Sequence, residues 1–134
     1  MAYTAVVLTE ESKKALRLRT VSVTTENAPG FLIKCHHMTC DMKSAAKSIA
    51  ADFIGQEVEL EVIKVGYLAL PEAHPDACIM AAEVKCVVPS KNQIKHITIY
   101  HHESVKPVKS NDITYWADPP GGSFALRGVV QEVA

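Results

Sequence analysis

Two short units carry the side chains best suited to chemistry in this chain: His37-Met38-Thr39 and His96-Ile97-Thr98. Each sets an imidazole and a hydroxyl two residues apart. On a β-strand, side chains two apart point the same way. His and Thr of each unit therefore share a face. Placed side by side with those faces turned inward, the units would line one groove with two imidazoles and two hydroxyls. That set suits phosphodiester chemistry. A neutral His takes a proton from the attacking water or hydroxyl, and a protonated His gives one to the leaving oxygen. An unperturbed imidazole pKa of about 6.5 lets both forms exist near neutral pH. The Thr hydroxyls donate to non-bridging phosphate oxygens, where charge builds in the transition state.

The surrounding residues predict the elements that must hold these units. Lys95 to Tyr100 is β-branched and aromatic with alternating polarity, so it reads as a strand with His96, Thr98 and Tyr100 on one face and Ile97 and Ile99 on the other. Phe31 to Cys40 reads as the first motif strand. Before it come a strand at Tyr3 to Leu8, a helix over 9–19 capped by Thr9, a strand or extended loop at 20–25, and a turn at Glu26-Asn27-Ala28-Pro29-Gly30. After it, Asp41 to Gly55 reads as a helix with Ala45, Ala46, Ile49, Ala50, Phe53 and Ile54 on one face. Val58 to Leu70 and Ala77 to Val88 read as a hairpin, with a bulge near Gly66 in its first strand. A polar stretch over 103–115 follows the second motif, and Phe124 to Val133 closes the chain as a strand.

The chain has 134 residues, 48% hydrophobic and 22% charged, which suits one globular domain spanning 1–134. A net charge of −1 gives no basic field for gripping a long nucleic acid, so a nucleotide substrate is expected to be small or to be the end of a larger molecule. No apolar run approaches the roughly 18–20 residues that span a bilayer. The N-terminus lacks the pattern of a secretory signal, and four cysteines in such a chain are expected to be reduced thiols. The expectation is a cytoplasmic protein with no membrane partner.

Paired His-x-Thr units, each on a strand with apolar neighbours, resemble the 2H phosphoesterase superfamily. The resemblance falls on His37 and Thr39 and on His96 and Thr98, and it extends to the order of elements around them. Ile99 fits the apolar residue that follows the Thr in that family, whereas the first unit has Cys40. The resemblance implies an α+β, bilobal fold, with two antiparallel sheets forming a central groove and helices packed outside. It implies a phosphodiesterase that needs no metal or other cofactor. Its substrates would be 2′,3′-cyclic phosphates at RNA ends or other 2′-linked nucleotides and oligonucleotides. His37 and His96 would be the acid–base pair, with Thr39 and Thr98 holding the phosphate. The expected partner is a nucleotide or RNA terminus, met by a monomer or by the counterpart of one domain in a larger RNA-repair system. The alternative is a nucleotide- or RNA-end-binding module on the same fold, without turnover.

Other residues compete for notice. Cys35-His36-His37 with Cys40 invites a zinc reading, but strand parity sends Cys35 and His37 one way and His36 and Cys40 the other, away from a single point. The same parity turns His36 and His101 away from the groove and leaves His102 at a strand end. Tyr3, Tyr67 and Tyr100 are candidates to stack a base, with core packing an equal role for Tyr100. Trp116 is either a lid or the plug under a loop. Lys106, Lys109, Ser110 and Asn111 follow the second motif closely enough to reach a phosphate, though a solvated loop is their default.

Overall fold

Apolar and charged residues alternate from Glu57 to Val62, and the backbone follows the pattern: Val58, Leu60 and Val62 are buried while Glu57 and Glu59 face solvent. This begins the longest strand of a computed structural model that describes residues 2–134. The elements in order are β1 (Tyr3–Leu8), α1 (Glu10–Thr20), α2 (Val23–Asn27), β2 (Phe31–Ile33), β3 (His37–Asp41), β4 (Glu57–Ala69), β5 (Cys78–Lys85), β6 (His96–His102), β7 (Trp116–Ala117) and β8 (Phe124–Val133). Single-turn 3-10 helices lie at Ala45–Lys47 and Ala51–Phe53, and a longer one at Pro107–Asp112.

The architecture is a mainly antiparallel sheet with few helices. All eight strands belong to one sheet, whereas two were expected. The neighbours run β6, β3, β1, β8, β4, β5, and β5 pairs back onto β6, so six strands close into a ring. Closure leaves those strands no free edge. β2 extends the row beside β6, and β7 the row beside β4. The main core gathers Val6, Met38, Leu60, Ile97, Ile99, Leu126 and Val130. Burying each such large side chain contributes about 1.5–3 kcal/mol. Met38 and Ile97, the middle residues of the two His-x-Thr units, are both 0% exposed and stand opposite each other. The apolar residue of each unit thus anchors the polar pair on the other face.

Helix α1 begins as expected. Thr9 Oγ1 accepts from the Ser12 amide at 3.2 Å, with Glu10 and Glu11 in the first turn and Arg17 and Arg19 in the last. Ser12 Oγ in turn accepts from the Arg127 amide at 2.8 Å and ties the helix to β8.

Three expectations fail for local reasons. The region 41–55 is not a helix. Asp41 Oδ2 accepts from the Ile49 amide at 2.9 Å, and Ser48 Oγ takes the Ala50 amide at 3.0 Å while bonding Thr4 Oγ1 at 2.6 Å. These side chains claim amides that a helix would use, leaving short 3-10 turns. The stretch 20–25 is not extended throughout, because Ser22 Oγ accepts from the Thr25 amide at 3.1 Å and starts α2. The irregularity in β4 falls between Val62 and Lys64, not at Gly66. Gly66 has another purpose: a Cβ there would meet the Trp116 ring at 2.5 Å and Ile113 at 2.6 Å. The bare backbone lets Trp116 lie on β4.

Candidate functional site

β3 and β6 are neighbours, with Met38 opposite Ile97. Antiparallel pairing in that register brings Thr39 beside His96, with His37 and Thr98 on the other side of the Met38–Ile97 pair. All four line one groove of about 760 Å³. Tyr3 of β1 lines it too, with its ring 5.4 Å from that of His37. Lys34 and Lys91 add cationic side chains, and Asn92, Ser110 and Asn111 add neutral polar ones. Asp41 is the one carboxylate in the lining, and it is engaged by the Ile49 amide. The groove therefore suits a small anion.

The two halves are built differently. The backbone leaves strand geometry at Cys35, which has φ 46°, a left-handed conformation rare for a side-chain-bearing residue. The Cys35 amide donates to the Thr98 carbonyl at 3.0 Å, while Met38 already faces Ile97. Between those two contacts β6 has no residue to match His36 and His37, so this segment bulges. Bulges re-aim side chains. Here the bulge brings His36 into the groove wall beside His37, with the rings 5.1 Å apart and edge-on, and Nδ1 to Nδ1 at 2.9 Å. The expectation that His36 points away assumed an unbroken strand. Burial, reinforced by His36, His96 and Lys34, pushes His37 down to about 4. Burial also lowers His36, with Lys13 and Lys34 acting in the same sense and Glu10 against them.

His96 sits on regular backbone and is 8% exposed. Its Nδ1 lies 2.8 Å from the Ile94 carbonyl and its Nε2 2.8 Å from Ser110 Oγ. Ser110 comes from the 3-10 helix Pro107–Asp112, and its hydroxyl donates to the Pro107 carbonyl at 2.9 Å. Where that proton stays on the Pro107 carbonyl, Oγ accepts from Nε2 and His96 donates at both nitrogens.

The other candidates separate. Tyr100 does not share the face of His96 and Thr98. The β5–β6 register shifts between Met80 and Ala81, opposite Ile99, and Tyr100 turns into the main core. With Tyr67, Phe31, Thr25 and Cys78 it lines a second cavity of about 270 Å³. Tyr67 is therefore also outside the groove. Trp116 packs on a smaller cluster with Ile113 and Val105 and plugs the loop region instead of covering the groove. Lys109 pairs with Asp112 at 3.6 Å, and Lys106 is not in the lining. His101 is 4% exposed, and His102 stacks on His74 at 4.6 Å. Cys35 and Cys40 lie in the core, where burial raises their thiols to about 12 and about 11. All four cysteines are free. Among the described residues, no three His, Cys, Asp or Glu side chains converge as a metal set, and no helix is long and apolar enough to cross a membrane.

Sequence reasoning missed His36, Lys34 and Lys91 and left Ser110 between a phosphate contact and a solvated loop. Nothing in the residue types signals a left-handed Cys. The Ser110 clamp had a partial signal in Pro107, which suits the first turn of a helix. Comparison with family models, curated proteins and solved structures finds no match.

Proposed function

We propose that this groove hydrolyses a phosphodiester in the manner of the 2H phosphoesterases, acting on a 2′,3′-cyclic phosphate or another 2′-linked nucleotide or RNA end. The observation that carries the reading is the pairing of Met38 with Ile97, which sets both His-x-Thr units in one groove. Both imidazoles line that groove, as an acid and a base acting on one phosphate require.

The roles follow from the two settings. His37, neutral at physiological pH, takes the proton of the attacking water as oxygen bonds to phosphorus. His96, held as a double donor, protonates the ribose oxygen as its bond to phosphorus breaks. The leaving oxygen replaces Ser110 as the acceptor of the Nε2 proton. The product is a phosphomonoester. Thr39 and Thr98 donate to the non-bridging oxygens, and Lys34 and Lys91 balance the negative charge. Tyr3 is placed to stack on a base. Acid, base and oxyanion donors all come from side chains, so this chemistry does not call on a metal. The bilobal 2H architecture belongs to the same proposal. It is supported by the two motif strands lying side by side, a strand and helix before the first, and the β4–β5 hairpin before the second.

A panel assay in EDTA tests the reading. It offers 2′,3′-cyclic nucleotides, ADP-ribose 1″,2″-cyclic phosphate, 2′,5′-oligoadenylate and cyclic oligonucleotides. Turnover of at least one is expected. Binding without turnover across the panel would replace hydrolysis with recognition alone, and neither binding nor turnover would overturn both.

A further inference from the structure

The Nδ1 atoms of His36 and His37 lie 2.9 Å apart. Two ring nitrogens at that distance need one proton between them, because two lone pairs would repel. Both rings are pushed toward the neutral form, His37 the further of the two. Each therefore carries one proton at neutral pH, and the contact allows only one of the two to sit on an Nδ1. If the shared proton belongs to His36, then His37 presents Nε2–H to the groove and is a donor. If it belongs to His37, then Nε2 presents a lone pair and is a base.

The surroundings distinguish the two. The groove side of His37 is faced by Lys34 and by His96 of β6, both of which act on it as positive charge. That positive field favours a lone pair over an N–H on the groove side. Glu10 of α1 acts on His36 and favours an N–H on its outer nitrogen, while Lys13 of the same helix opposes it. Tyr3 of β1 packs against His37 through its ring and carries no charge. Among the described residues, His37 Nε2 has no protein hydrogen-bond partner, whereas its Nδ1 is taken by His36.

We propose that His36 is the positioning residue of the site: its Nδ1 accepts the Nδ1 proton of His37 and so fixes the tautomer in which His37 Nε2 is a base. A backbone carbonyl or carboxylate commonly orients a working imidazole in this way, and here a second imidazole fills that place. The arrangement depends on the Cys35 bulge, since consecutive residues on a regular strand point to opposite faces. The part of this inference that concerns turnover rests on the phosphodiesterase reading; the tautomer does not.

The test is nitrogen NMR of the full chain with 15N-labelled histidine at neutral pH. Long-range proton–nitrogen correlations report which ring nitrogen bears the proton, and loss of signals in His37→Asn assigns the residue. The wild type should show His37 protonated at Nδ1. His36→Ala should move the proton to Nε2, the commoner form in water. His36→Asn, whose side-chain oxygen stands near the place of Nδ1, should restore the Nδ1 form. Amide spectra unchanged away from the groove would show that the fold is kept. On any substrate the panel identifies, His36→Ala should lower kcat about 10–100-fold, as loss of an orienting partner does elsewhere. KM should change by no more than about threefold, the pattern of a lost transition-state contribution, and His36→Asn should recover most of kcat. A wild-type His37 protonated at Nε2, or a tautomer indifferent to His36→Ala, overturns the proposal. If no substrate is turned over, the spectra still decide the tautomer, and the failure falls on the phosphodiesterase reading alone.

Discussion

His37 and His96 come from the same three-residue pattern, yet their surroundings give them opposite characters. His96 stands on the regular first part of β6, nearly closed to solvent, with a hydrogen-bond partner at each ring nitrogen. His37 stands at a bulge, half-buried, with one nitrogen tied to a neighbouring imidazole. The first setting fixes the ring by hydrogen bonds at both nitrogens, and the second disfavours charge by desolvation and nearby positive groups. In the proposed mechanism, the division into acid and base would arise from neighbours outside the repeated unit: Ile94 and Ser110 on one side, Cys35 and His36 on the other.

The largest expected effect comes from removing each imidazole in turn. His37→Ala and His96→Ala should each lower kcat about 10²–10⁴-fold, the usual contribution of a positioned acid or base. Their stabilities should differ. His96→Ala loses two buried hydrogen bonds and should cost about 1–3 kcal/mol, measured by urea denaturation, whereas His37→Ala should be close to neutral. Near-full activity in either variant, or equal stability losses, would break the comparison.

A smaller effect is expected from Ser110→Ala. It removes the acceptor at His96 Nε2 but leaves the Ile94 contact. Loss of an orienting partner should lower kcat about 10-fold or somewhat more. An unchanged kcat would show that Ser110 does not orient His96.

The smallest effect is on stability. The folded His37 titrates near 4, against about 6.5 for a free imidazole. Between those values the unfolded chain binds a proton that the folded chain refuses, so stability falls as pH drops from about 6.5 toward 4. His37→Asn removes that contribution. Its melting temperature should therefore decline less between pH 7 and pH 5 than that of the wild type. Equal declines would mean that His37 is not held neutral by the fold.

Much of the scaffold was legible in residue pattern. The β4–β5 hairpin, the strands at both ends of the chain and the Thr9 cap follow from alternation and capping chemistry. The helix expected at 41–55 had the right apolar spacing and failed because Asp41 and Ser48 bind amides locally. Tyr100 was placed on the wrong face because parity counts residues and cannot see a bulge. His36 was discarded by the same count, and it became the nearest partner of His37.

By itself, the sequence determined that two His-x-Thr strands exist and that the residue between each His and Thr is apolar, because alternation along a strand is a local property written in side-chain type. Tertiary structure decided that the strands are neighbours, that β5 closes the ring on β6, and that bulges at His36-His37 and Ile99 choose which side chains reach the groove. Those outcomes depend on register between segments distant in the chain, where a slip of one residue reverses a face, and no local pattern encodes it.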